Sequence, residues 1–225
     1  MPTTLDLDPR VIAVLERLHA ASDGQAGTIG AYFARRTDMG DVDRRRLDAE
    51  THRFFADKLV ALDAIKAEFA YQLCRSLGAK RIVEAGTSYG VSTLYLASAV
   101  RANGGGVVIG TEYEAEKAAT ARRNFAEAGL ADQIDLREGD LRQTLTAIDG
   151  PVDFMLMDIW TEMARPAIEL VGPHLRVGAI VLADNTTQFR RAYAEYFAYI
   201  NDPANRFITL TLPFEGGLEM SVRTG

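Results

Sequence analysis

A chain of 225 residues, 48% hydrophobic and 25% charged, has the composition of a globular protein and can bury a core without covalent staples. Its net charge of −6, with both signs mixed along the chain, argues against a nucleic-acid partner, which is usually met by a basic patch. The single cysteine, Cys74, excludes an intrachain disulfide and a cysteine zinc site, and reads as a buried thiol on an apolar helix face.

The N-terminus shows neither the basic start nor the apolar core of a signal peptide. No apolar run approaches the roughly 20 residues of a membrane helix, so a cytoplasmic protein without a membrane partner is expected. Residues 8 to about 78 read as helical. Val11, Leu15 and Leu18 recur at helical spacing, and a second stretch from Asp43 carries Leu47, Phe54, Phe55, Leu59, Leu62, Ile65, Phe69 and Leu73. Gly24, Gly27 and Gly30 separate the two.

From residue 79 onward, short β runs alternate with helical stretches. Strands are predicted at residues 81–84, 107–111, 134–137, 152–157 and 179–183. Helices are predicted at 92–101, 114–128, 141–148, 162–175 and 187–200. Such alternation implies right-handed crossovers and a parallel sheet with helices on both faces. The chain ends in two alternating strands around Gly216-Gly217, an antiparallel hairpin closing the sheet edge. The fold class is therefore α/β, a Rossmann-like, mainly parallel, seven-stranded sheet. One domain spans residues 1–225, with a helical part at 1–78 and a cofactor-binding core at 79–225.

In such sheets ligands sit beyond the carboxyl ends of the strands. There the first strand runs Glu84-Ala-Gly-Thr-Ser-Tyr-Gly90, with Gly86 and Gly90 bracketing a tight turn and Ser92 in the first helical turn. Glu112 ends the second strand, where a carboxylate can accept both hydroxyls of a ribose. Asp140 ends the third, with helix capping before Leu141 weighing as much as ligand contact.

Strand four runs into Asp158-Ile-Trp160, and strand five into Asp184-Asn185. Neighbouring parallel strands would hold the two aspartates close, and such a pair repels unless a proton or cation intervenes. With the Asn185 oxygen they favour Mg2+ over simple helix capping. Trp160 is placed to stack against an adenine.

These residues carry a resemblance. Glu84 to Gly90, then Glu112 and Gly139-Asp140, resemble the class I S-adenosylmethionine-dependent methyltransferases. Asp158-x-Trp160 with Ala183-Asp184-Asn185 narrows this to the small Mg2+-dependent O-methyltransferases of the catechol and caffeoyl-CoA type. The resemblance implies S-adenosylmethionine as cofactor, with Glu84, Gly86 and Ser92 at its methionine half, Glu112 at the ribose and Asp140 at the adenine. Ser88, Gly90, Tyr113, Gly139, Asp158 and Trp160 complete the implied cofactor set. It also implies a metal held by Asp158, Asp184 and Asn185, with Asp158 catalytic, a small-molecule acceptor and a possible homodimer formed through the helical N-terminal part.

One departure stands out: Thr161 occupies the place where the family has a lysine acting on the acceptor hydroxyl. Lys66 reads as solvated, the alternative being that it faces the cofactor or acceptor, and Arg44-Arg-Arg46 as a solvated helix face, the alternative being a contact for an anionic acceptor. His52, with no evident partner, reads as structural, His19 as remote from any site and His174 as surface. Phe214-Glu215, in the hairpin loop, is a weak candidate for approaching the acceptor. Three rival readings are a metal-independent methyltransferase, a nicotinamide-dependent oxidoreductase and a non-catalytic module. The Gly-x-x-x-Gly turn and the closing hairpin disfavour the oxidoreductase.

Overall fold

Strand four spells Val-Asp-Phe-Met-Leu-Met, apolar on both sides of the pleat, which only a sheet covered on both faces can bury. The computed structural model describes residues 5–35 and 49–225 and supplies those two faces. Its strands are β1 (Arg81–Ala85), β2 (Val107–Glu112), β3 (Ile134–Glu138), β4 (Val152–Met157), β5 (Leu175–Asp184), β6 (Phe207–Leu212) and β7 (Leu218–Arg223). They form one sheet in the order β3-β2-β1-β4-β5-β7-β6. β1 to β5 are mutually parallel, and β7 runs antiparallel to both β5 and β6.

The helices are α1 (Pro9–Asp23), α2 (Ala26–Ala34), α3 (Ala49–Phe55), α4 (Ala64–Leu77), α5 (Val91–Ala102), α6 (Ala115–Glu127), α7 (Leu141–Thr144), α8 (Thr161–Val171) and α9 (Ala194–Ile200). One face of the sheet packs Ile82, Phe154, Leu156, Ile180 and Leu182 against α1, α4, α5 and α6. The other packs Val83, Ile109, Met155, Met157 and Val181 against α7, α8 and α9. Each large side chain so buried contributes about 1.5–3 kcal/mol. Cys74 is among the fully buried residues of α4, and burial pushes its thiol up.

The strand order reverses between β1 and β4, so the crevice opens beyond the carboxyl ends of those two strands. Their registers align Ala85 with Thr111 and with Met157, and Met157 with Ala183. The loops that follow β1, β2, β4 and β5 therefore share one rim.

The helical part departs from the simple periodic reading. The stretch expected as one long helix is two, α3 and α4, joined by an irregular segment. Leu59 and Leu62 are buried in that connector all the same. Side chains satisfy its amides: Leu59 N donates to Gln25 Oε1 at 3.1 Å and Ala61 N to Ser22 Oγ at 3.0 Å. Gly27 and Gly30 lie inside α2 rather than breaking it, with open space where a Cβ would stand. The predicted helix over 141–148 contracts to α7, and that over 187–200 contracts to α9, leaving residues 185–193 as turns beside the crevice. Asp43, Leu47 and Arg44 to Arg46 lie outside the described residues. Among the described residues no helix is long and apolar enough to cross a membrane.

Candidate active site

Between β1 and α5 the backbone turns back against the loop after β4. Gly86 has φ +97°, and a Cβ there would stand 2.1 Å from the Asp158 carbonyl oxygen, so only glycine lets the two loops touch. Glu84 lies beneath this turn, fully buried. It accepts hydrogen bonds from Ser92 Oγ at 2.6 Å, Thr87 Oγ1 at 2.8 Å and the Thr93 hydroxyl. Burial pushes its carboxyl up, and the three hydroxyls oppose that shift. Glu84 thus pins the turn from below, while Gly86, Ser88 and Ser92 face the crevice. Gly90 opens α5 and leaves room for the Phe125 ring, which a Cβ would meet at 2.3 Å.

Glu112 ends β2 on the crevice wall. Ser88 N donates to its Oε2 at 2.7 Å and Glu114 N to its Oε1 at 2.8 Å. Two backbone amides thereby orient the carboxylate, and lone pairs remain for further donors such as vicinal hydroxyls. Tyr113, 62% exposed, stands edge-on to His52 with ring centroids 5.3 Å apart. His52 does have a partner: its Nε2 lies 3.0 Å from Glu114 Oε1, which ties α3 to this rim. Beyond β3, Gly139 and Asp140 continue the wall. Asp140 caps α7 by accepting from Arg142 N at 2.9 Å, and the Arg142 guanidinium beside it holds its carboxyl below the usual range.

At the other end of the crevice, Asp158 follows β4 and Asp184 ends β5. Neither caps a helix: the N-cap residues of α8 and α9 are Trp160 and Tyr193, and neither end has a side-chain cap. Burial, then the charges of Asp184 and Glu84, push the Asp158 carboxyl up to about 8, with Lys66 opposing. Burial also raises Asp184, against the hydrogen bond and charge of Lys66. Lys66 itself is not solvated. It is 4% exposed, and its Nζ donates to Asp184 Oδ1 at 2.5 Å from α4. The signal lay in the period of α4: Lys66 shares a stripe with the buried Ala70 and Cys74, where a charge needs a partner.

Asn185 donates Nδ2 to Asp184 Oδ2 at 2.9 Å, and its own Oδ1 lies where a Cβ on Gly216 would come within 2.6 Å. Two carboxylates and an amide oxygen are hard donors of the kind Mg2+ takes. The chemistry of these oxygens suits a divalent ion, although the Lys66 ammonium already lies against Asp184. Thr161, the first residue of α8, lines the crevice, with its hydroxyl 3.3 Å from Glu162. Trp160 also lines it, edge-on to Phe55 of α3 at 5.3 Å.

Of the residues singled out in the sequence, Gly86, Ser88, Ser92, Glu112, Tyr113, Gly139, Asp140, Asp158, Trp160 and Asn185 line one continuous crevice of about 1580 Å³. Glu84, Gly90 and Asp184 stand behind its wall. Glu215 of the hairpin loop and His52 reach it, whereas His19 and His174 do not. That volume exceeds the roughly 300–1,000 Å³ of common small-molecule pockets, enough for a nucleoside cofactor and a second molecule together.

Residues 83–186 match the Methyltransferase domain family. Over 127 residues the chain is 33% identical to a catechol O-methyltransferase of Mycobacterium tuberculosis, covering 56% of this chain and 57% of that protein. It is 36% identical over 122 residues to a catechol O-methyltransferase of Niastella koreensis, covering 51% of each. The matches thus span about half the length of these relatives. The crystal structure of an O-methyltransferase from Bacillus cereus in complex with SAH superposes with a TM-score of 0.71 at 20% identity, covering 99% of this chain and 94% of that one. Sheet order and closing hairpin thus agree with the fold of that O-methyltransferase, and residues 83–186 are similar to a methyltransferase domain.

Proposed function

We propose that the protein transfers a methyl group from S-adenosylmethionine to an oxygen of a small, hydroxylated, catechol-like acceptor, with Mg2+ held by Asp158, Asp184 and Asn185. One observation supports this reading: a single crevice joins the Glu112 rim, where a carboxylate can accept vicinal hydroxyls, to a wall carrying Asp158 and Asn185, with Asp184 buried behind it.

S-adenosylmethionine supplies an already activated sulfonium methyl. The acceptor hydroxyl gives its proton to solvent water, an oxygen lone pair forms the new C–O bond as the C–S bond breaks, and the C–S electron pair leaves with sulfur. The protein's task is mostly to hold the two reactants in line. Glu112 fixes the ribose, and the Gly86 turn brings backbone amides near the cofactor. Trp160 and Phe55 wall the aromatic side, so that the ring of the acceptor has an apolar surface to lie against. When bound, the divalent ion supplies the charge that lowers the pKa of an acceptor oxygen. Asp158 lines the crevice where that oxygen would lie, and Thr161 is no base near neutral pH.

Lys66 favours a second reading, metal-independent transfer, because it already brings a cation to Asp184.

The test has two parts. Calorimetry should show S-adenosylhomocysteine binding that Glu112→Ala weakens about 100-fold, the loss of a charged acceptor serving two hydroxyls. Methyl transfer to catechol should stop in EDTA and return with Mg2+. Absence of product binding ends the reading; turnover untouched by EDTA selects the metal-independent alternative.

A further inference from the structure

We infer that Lys66 is a resident counter-ion of the divalent site: it balances one aspartate from within the fold, so the site keeps its shape without the ion and takes it up loosely. The inference rests on the proposed metal set. Its geometry stands on its own. α4 carries Lys66 across from the helical part to the end of β5, and its Nζ sits 2.5 Å from Asp184 Oδ1 with both side chains almost fully buried. Asp184 Oδ2 is held separately by Asn185 Nδ2 at 2.9 Å. Both oxygens of Asp184 are thus oriented before any ion arrives, and each keeps a second lone pair.

The electrostatic consequence follows from counting charges. Once both are ionised, as binding a divalent ion requires, Asp158 and Asp184 present two negative charges, and the ammonium cancels one. An incoming divalent ion therefore meets a smaller net attraction than two bare aspartates would give, and it is repelled by an ammonium already bonded to one of its ligands. Lys66 also accounts for how two carboxylates at adjacent strand ends coexist while the protein folds, since a buried carboxylate without a partner is costly. The lysine that the family places after the first metal aspartate acts on the acceptor; Lys66 differs in element and in role. Its hydrogen bond points at a ligand carboxylate, which makes it a positioning residue.

The experiment is Mn2+ uptake by the intact chain, read from the loss of free Mn2+ signal in electron paramagnetic resonance, with S-adenosylhomocysteine binding measured on the same samples. Lys66→Gln keeps a donor to Asp184 and removes the charge, and is expected to bind Mn2+ about 10- to 100-fold more tightly than the wild type. Lys66→Arg keeps the charge and is expected to stay within about three-fold of it. Lys66→Met, which fills the same space without a donor, gives the same measurement should the glutamine variant misfold. A folded, product-binding Lys66→Gln or Lys66→Met that binds Mn2+ no more tightly than the wild type overturns the inference. Product binding with no Mn2+ uptake by any variant overturns it together with the metal part of the proposed function. Loss of product binding by the wild type points instead to failure of the methyltransferase reading itself.

Discussion

The two ends of the crevice hold their carboxylates by different means. At the cofactor end, Glu84 takes hydroxyls from Thr87, Ser92 and Thr93, and Glu112 takes the amides of Ser88 and Glu114. Most of these partners lie within one β-turn-α unit of the acid they serve. At the other end, Asp158 follows β4 and Asp184 ends β5, the charge of Asp184 raises Asp158, and the cation paired with Asp184 comes from a helix residue 118 positions away in sequence. The first end is a satisfied network that fixes shape; the second buries two carboxyls, both raised, beside one ammonium. Low local dielectric stiffens the first and makes ionising the second costly.

The largest effect should come from breaking the contact that joins the two ends. Gly86→Ala places a Cβ 2.1 Å from the Asp158 carbonyl oxygen at a φ of +97°, combining overpacking with a conformation that L-residues resist. A loss of about 4 kcal/mol in unfolding free energy is expected, with product binding abolished. Gly105→Ala separates the two causes, because Gly105 has φ +94° but nothing within 4 Å of an added Cβ. It should cost only about 1 kcal/mol. Chemical denaturation of both variants checks this, and equal losses would show that the clash at Gly86 relaxes freely.

A smaller effect should appear as pH dependence at the aspartate end. The Asp158 carboxyl titrates near 8 in the folded chain, against 3.8 for an ordinary aspartate. The folded state therefore keeps a proton that the unfolded chain releases between about pH 4 and pH 8. Stability must fall as pH rises through that window and level off above it. Asp184 and Glu84 are raised as well and act in the same direction. In EDTA the melting temperature should drop by about 5–10 °C between pH 5 and pH 8. Asp158→Asn should flatten the slope, and millimolar Mg2+ should oppose it by binding the ionised pair. A melting temperature that rises across this window would show the aspartates already balanced without a metal.

The same contrast explains what could be read from the sequence. The sheet was legible because each strand is a short apolar run between helical stretches, and the rim acids because each closes such a run. Glu112 and the Asp158–Asp184 pair needed only strand order and spacing. Lys66 was misread as solvated because its partner lies on another element, and no local pattern names that partner. The single long helix failed for a related reason: Leu59 and Leu62 keep a helical period while their connector is held by Gln25 and Ser22. Periodicity reports burial, and burial does not require a helix. The capping reading was resolved differently at each end: Asp140 does cap α7, whereas Asp158 and Asp184 cap nothing.

Asp140 supplies the smallest and most discriminating prediction. Its carboxylate already accepts from the Arg142 amide at 2.9 Å and pairs with the Arg142 guanidinium at 2.5 Å, on the exposed lip of the crevice. A side chain so engaged has little left for an adenine amino group, and an exposed ion pair contributes under about 1 kcal/mol. Asp140→Asn keeps the cap, since asparagine caps as well as aspartate, and removes only the charge. Unfolding free energy should change by less than about 0.5 kcal/mol and product affinity by less than about three-fold. Asp140→Ala should cost about 1 kcal/mol through the lost cap, again with little effect on binding. A ten-fold or greater loss of S-adenosylhomocysteine affinity in Asp140→Asn, with stability unchanged, would mean that cofactor binding draws the carboxylate away from Arg142. The lip of the nucleotide end would then be a moving part, unlike the fixed turn beneath it.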